Sequence, residues 1–184
     1  MGSQSAAVGC RSHSGWAVLV AVTGSITAPV VLYRIRIELL DGALPAHPYH
    51  EAAEAGMSTR EARSLIRKVE VFAAKRASAS LSALLADMEQ DSHQVAGIAV
   101  VATDRAIPDE LERVLRSHQL LHAAEGDLFE EALVEGASSL GRPVARVVPP
   151  TSIPPDVDAL RGTIGSPWQK DHKLAAAAAF TLLS

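Results

Sequence analysis

The residues best suited to chemistry fall in one short stretch, Ser117-His-Gln-Leu-Leu-His-Ala-Ala-Glu-Gly126. It brings two imidazoles and a carboxylate, His118, His122 and Glu125, into a chain otherwise rich in Ala, Val and Leu. If a helix runs through it from Pro108, then Leu111, Leu115, His118, His122, Glu125 and Phe129 share one face at steps of three and four. His-x3-His-x2-Glu on one stripe can hold a zinc-like ion through two imidazoles and one carboxylate. If the stretch is a strand, Leu120, His122 and Ala124 face one way and Glu125 stands at the carboxyl end, where open α/β sheets place ligands. The plainer alternative is two hydrogen-bonded histidines half buried under a sheet, with Glu125 solvated. Asp127-Leu-Phe-Glu130 reads as a capping box that starts a new helix, with Gly126 breaking what precedes it.

Two further carboxylates are candidates. Asp171 shares a helical face with Leu174, Ala175, Ala178 and Leu182, so its charge sits on a buried stripe unless it is paired, capped or metal-bound. Asp104 directly follows the apolar run Val95–Ala102. His47 and His50 lie near Pro45 and Pro48 in a loop and are available to join a site. One reading is therefore a metal-dependent hydrolase. His118 and His122 would be ligands to Mg, Mn or Zn, and Glu125, Asp171 and Asp104 the candidate catalytic carboxylates around a metal-bound water. No Gly-rich phosphate loop, G-x-S-x-G elbow, zinc-finger spacing or internal repeat is present.

The elements that would position these groups read as an α/β chain. Residues 1–13 are Ser/Gly/Ala-rich and read as a disordered tail, with a single α/β domain over 14–184. Trp16–Val22 is a buried strand, Gly24–Pro29 a turn, and Val30–Leu40 a second, antiparallel strand with one wet face. Ser58-Thr-Arg-Glu61 is a capping box opening a long helix to about Gln90. Its outer side carries Arg63, Arg67 and Lys75, candidates for a nucleic-acid contact against the simpler reading of a solvated face. Val95–Ala102 is apolar on both faces and reads as the central strand. A helix from Asp127, a strand over Pro143–Val148 and a closing helix after Trp168 complete the order.

Composition narrows the classes. With 184 residues the chain can build one sizeable core, and mean hydropathy of +0.14 is on the apolar side for a globular domain. A formal charge of −4 argues against broad electrostatic capture of nucleic acid. The single cysteine, Cys10, excludes an intramolecular disulfide and fits a reducing, cytoplasmic setting. Abundant alanine suits a bacterial protein. Gly15–Leu32 is apolar enough to resemble a weak membrane or export segment, but Thr23, Gly24, Ser25, Thr27 and Pro29 in its middle favour two strands and a turn. No membrane partner is expected, and the oligomeric state is not legible.

The order of elements resembles the ribonuclease H-like superfamily, and within it the bacterial Holliday-junction-resolvase type. Trp16-Ala-Val-Leu-Val-Ala-Val-Thr-Gly-Ser25 is similar to the family's first strand and Gly-containing turn, and Val95–Asp104 to its central strand. Asp171, ahead of an alanine run, is similar to the final helix whose start carries an acidic metal ligand. The resemblance implies a mixed sheet with helices on both faces. It also implies an aspartate at the end of the first strand that anchors two metal ions. The matching place here is Val22 or Thr23, with no carboxylate nearby. Two cations about 3.5–4 Å apart need several converging carboxylates. The expectation is a ribonuclease H-like binding or assembly module, linked to nucleic acid, that lacks two-metal nuclease chemistry. The further alternative is a structural α/β protein without a site.

Overall fold

The computed structural model describes residues 4–183. Five strands form one mixed sheet: β1 (Gln4–His13), β2 (Trp16–Ser25), β3 (Ala28–Glu38), β4 (His93–Val101) and β5 (Val144–Val147), in the order β3-β2-β1-β4-β5. β1, β2 and β3 pair antiparallel, and β4 and β5 add to β1 in parallel. Seven helices are described: α1 (Pro48–Glu54), α2 (Thr59–Gln90), α3 (Leu111–Leu115), α4 (His118–Ser138), α5 (Pro155–Ala159), α6 (Arg161–Ile164) and α7 (Lys170–Phe180).

The N-terminal segment corrects the sequence reading. Gln4–His13, expected as part of a disordered tail, is the middle strand of the sheet, and it displaces Val95–Ala102 from that position. Ala, Gly, Ser and Cys have little strand preference of their own. β1 is held by its two partners, with Val8 opposite Ala21 on one side and Ile98 on the other. Its small residues are required by what covers them. A Cβ on Gly9 would lie 1.8 Å from the carbonyl oxygen of Ala175 in α7, so strand and helix approach to backbone contact.

Alternation along the strands divides the core in two. Ala6, Val8, Cys10, Leu19, Ile98 and Val100 pack under α2 and α4, with Phe129, Leu133, Leu81 and Met88. Ala7, Val18, Val20 and Val22 pack under α7, with Ala175, Ala176, Ala179, Phe180 and Trp168. Both faces of the sheet are therefore covered by helices.

Local signals explain most of the rest. The Ser58–Glu61 capping box forms at the start of α2, as expected. Gly15 and Gly24, at φ of +82° and +83°, turn the chain after β1 and at the end of β2. Gly15–Leu32 thus contributes to two strands of a hairpin, and among the described residues no helix is long and apolar enough to cross a membrane.

Candidate functional site

The stretch from Ser117 is helical, and the helix does not break at Gly126. Ser117 caps α4 by accepting from the Leu120 amide, and the helix continues through Gly126 to Ser138. The capping box expected at Asp127–Glu130 is absent, because Glu130 turns inward to a different set of partners. The face does not extend back to Pro108 either, since α3 ends at Leu115 and a new helix starts at His118.

One turn apart, His118 and His122 place their Nε2 atoms 3.2 Å from each other. Glu125, a further turn along, points into the protein and is 2% exposed. Its carboxylate receives the beginning of α1. Oε1 accepts from the His50 amide at 3.2 Å and pairs with His50 Nδ1 at 2.8 Å, while Oε2 pairs with His47 Nδ1 at 2.9 Å. An ionised carboxylate only accepts, so each ring turns an Nδ1–H towards it. The His50 ring centroid lies 4.6 Å from that of His122 and 5.3 Å from that of His118. His47, His50, His118 and His122 line a pocket of about 480 Å³, together with Glu51 and Glu54.

A second polar group lies across the carboxyl ends of β1 and β4. Glu130, 1% exposed, is gripped by Arg105 at 2.8 and 3.0 Å, by Arg11 at 3.4 Å and by the Thr103 amide at 2.9 Å. The bidentate fork is the strong form of such a pair. Gly126 makes room for it, because a Cβ there would lie 3.1 Å from Cζ and Nη2 of Arg105. Asp171, in the first turn of α7, pairs with His13 Nε2 at 3.1 Å and approaches Arg11 Nε at 3.9 Å. The His13 ring stacks on Trp16 at 4.3 Å, and Arg36 lies 4.0 Å over the Trp16 ring. Burial, with the charge of Glu130 behind it, pushes the neighbouring Asp127 carboxyl above its ordinary value. A smaller pocket of about 180 Å³ joins the two groups, with Arg11, His13 and Arg105 on one part of its wall and His122 and Glu125 on another.

The structure sorts the candidates of the sequence. His118, His122 and Glu125 come together, joined by His47 and His50. Asp171 has its partners elsewhere, in His13 and Arg11. Asp104 is exposed beside Arg146 and Glu131 in a separate pocket. Arg63, Arg67 and Lys75 lie exposed on α2, and Arg67 is paired with Glu70 at 3.4 Å. Sequence reasoning missed Arg11, Arg105 and Glu130. Their signal was a charge inside, or just beyond, an apolar run, which by itself does not say which charges meet.

The sheet order and the helices on both faces define a ribonuclease H-like fold. Solved structures that it resembles include two of RuvC. A Thermus thermophilus RuvC structure in complex with a Holliday junction substrate superposes with a TM-score of 0.55 at 15% identity, over 97% of this chain and 92% of that one. A second T. thermophilus RuvC structure gives a TM-score of 0.52 at 15% identity, over 96% and 92%. No family model and no curated protein matches the sequence.

The fold moves the place where two metal ions would be anchored. The first strand is β1, so its end is Arg11-Ser-His13 and not Val22 or Thr23. That end does meet the start of α7, as the resemblance implies, but it brings a guanidinium and an imidazole to Asp171. The nearby carboxylate of Glu130 is already gripped by two guanidiniums. A divalent ion about 5 Å from one guanidinium meets roughly 7 kcal/mol of repulsion at an effective dielectric near 20. These residues do not fit a pair of divalent cations.

Proposed function

We propose that this chain is a binding or assembly module on the RuvC-type fold, linked to nucleic acid and without two-metal nuclease activity. The observation that carries the reading is Glu130 held between Arg11 and Arg105, at the carboxyl ends of β1 and β4, where metal-binding carboxylates would otherwise converge. The guanidiniums take the place of cations and, with Asp171 beside Arg11, balance the charge of Glu130, so these strand ends keep their shape without the ions. Arg63, Arg67 and Lys75 on the outer side of α2 are the cations available for phosphate contact. Set against the net charge of −4, they support a local contact rather than general capture.

Two measurements on the full chain test this. Incubation with branched DNA and magnesium or manganese should give no nicking, and metal-dependent cleavage abolished by Asp171→Asn would overturn the reading. Retention of branched or single-stranded DNA should weaken with salt and fall further in the triple variant Arg63→Glu, Arg67→Glu, Lys75→Glu. Retention unchanged by that variant would remove α2 as the contact.

A further inference from the structure

We propose that His50, His118 and His122 bind one zinc-class ion through their Nε2 atoms, with Glu125 fixing the His50 ring from behind. The site is independent of any contact with nucleic acid, and it joins two helices, α1 and α4, that are far apart in sequence.

Geometry comes first. The donor atoms of the three rings all lie within 4.8 Å of one another. Tetrahedral nitrogens at a Zn–N distance of about 2.0–2.1 Å sit about 3.3 Å apart. The Nε2 atoms of His118 and His122 are at 3.2 Å, so two corners of the tetrahedron are already spaced for an ion. The His50 donor atom, within 4.8 Å of both, supplies the third corner by closing in on them.

The His50 ring is also prepared chemically. Its Nδ1 is tied to Glu125, and its Nε2 is shut off from solvent without a hydrogen-bond partner among the described residues. Leaving a buried nitrogen without a partner is costly, and a metal ion supplies one. A carboxylate behind a ligating imidazole sets its tautomer and raises its basicity, as it does at many zinc sites. Glu125 occupies that position, buried and also bonded to His47.

The alternative grouping of His47, His50 and Glu125 is weaker. Its imidazole nitrogens facing the carboxylate are already engaged in hydrogen bonds to it. The three-imidazole set keeps its Nε2 atoms clear of Glu125, so an ion displaces only the 3.2 Å contact between His118 and His122, and with no directly coordinating carboxylate it suits zinc, copper or nickel over magnesium or calcium. A fourth position would open towards the 480 Å³ pocket, with Glu51 and Glu54 on its wall.

The test uses the full chain, stripped with a chelator and titrated with zinc and, separately, with cobalt. One ion should bind per chain, and cobalt should give the intense visible bands of a tetrahedral nitrogen site. Zinc should raise the thermal midpoint by several degrees. His118→Ala and His122→Ala change exposed side chains, so these variants should fold while losing both the spectrum and the thermal response. Glu125→Gln should keep the spectrum and weaken zinc about 10–100-fold, as loss of an outer carboxylate does. Failure to bind zinc in the micromolar range or tighter would overturn the proposal. So would an octahedral cobalt spectrum, or unchanged affinity in the two histidine variants. None of these readouts depends on DNA binding or cleavage.

Discussion

Arg105 reaches across the gap left by Gly126 and grips both carboxylate oxygens of Glu130, at 2.8 and 3.0 Å. A residue from the loop after β4 thereby locks onto the inner face of α4, and Arg11 of β1 joins the same carboxylate. Three elements that approach one another at the carboxyl ends of the inner strands are tied by a single buried charge.

Removing that charge should be expensive. Glu130→Gln keeps the volume but leaves the Arg105 guanidinium uncompensated and Arg11 with Asp171 alone. Breaking a buried pair in this way costs about 3–5 kcal/mol, and the lower end applies because both arginines keep some contact with water. Urea unfolding measures it. A loss below about 1 kcal/mol would mean that solvent, not Glu130, neutralises the arginines.

Gly9→Ala tests the contact between β1 and α7. The added Cβ would fall 1.8 Å from the Ala175 carbonyl oxygen, and backbone cannot step aside as a side chain can. We expect a loss of about 3 kcal/mol or more, at or beyond the upper end for overpacked cores. Near-normal stability would show that α7 can lift from the sheet.

Cys10 should be inert in the folded protein. Burial pushes its thiol up to about 12, so the thiolate is scarce at pH 8. A thiol reagent should label it only after unfolding, at a rate set by the opening reaction. The sign of the linkage follows from the raised value. The unfolded chain ionises the thiol from about pH 9 while the folded chain holds it neutral, so this contribution to stability falls as pH rises between about 9 and 12. Cys10→Ala should flatten that part of the profile. Rapid labelling of the native protein at pH 8 would contradict the buried placement.

His172 should act in the opposite direction of pH. Desolvation, followed by the nearby Arg34 guanidinium, holds its imidazole below the usual histidine value, against the opposing pull of Asp171. Below about pH 6.5 the unfolded chain takes up a proton that the folded chain resists, so stability is lost on acidification. His172→Gln should reduce the slope of the thermal midpoint between pH 7 and 5.5. An unchanged slope would place the acid sensitivity in the other histidines.

The sequence by itself determined whatever local chemistry encodes. The Ser58–Glu61 box starts α2 and the alternation in Val30–Leu40 makes β3, whereas the step of four from His118 to His122 left helix and strand both open until the structure showed the helix. The ribonuclease H-like class was also legible, because the elements from β2 onward depend on runs and turns that each segment announces, although the first strand was not read. Tertiary structure decided the rest. Apart from Val8, Gln4–His13 is built of residues that favour no strand, and its partners on both sides and the close approach of α7 make it the centre of the sheet. Gly126 looked like a helix breaker, yet the helix runs on through it and its missing side chain leaves room for Arg105. His50 and Glu125 are separated by 75 residues, as are no pair that a spacing rule could connect. Helical and strand periods act over a few residues. Which buried charge meets which ring depends on where whole elements pack, and that is fixed only when the core closes.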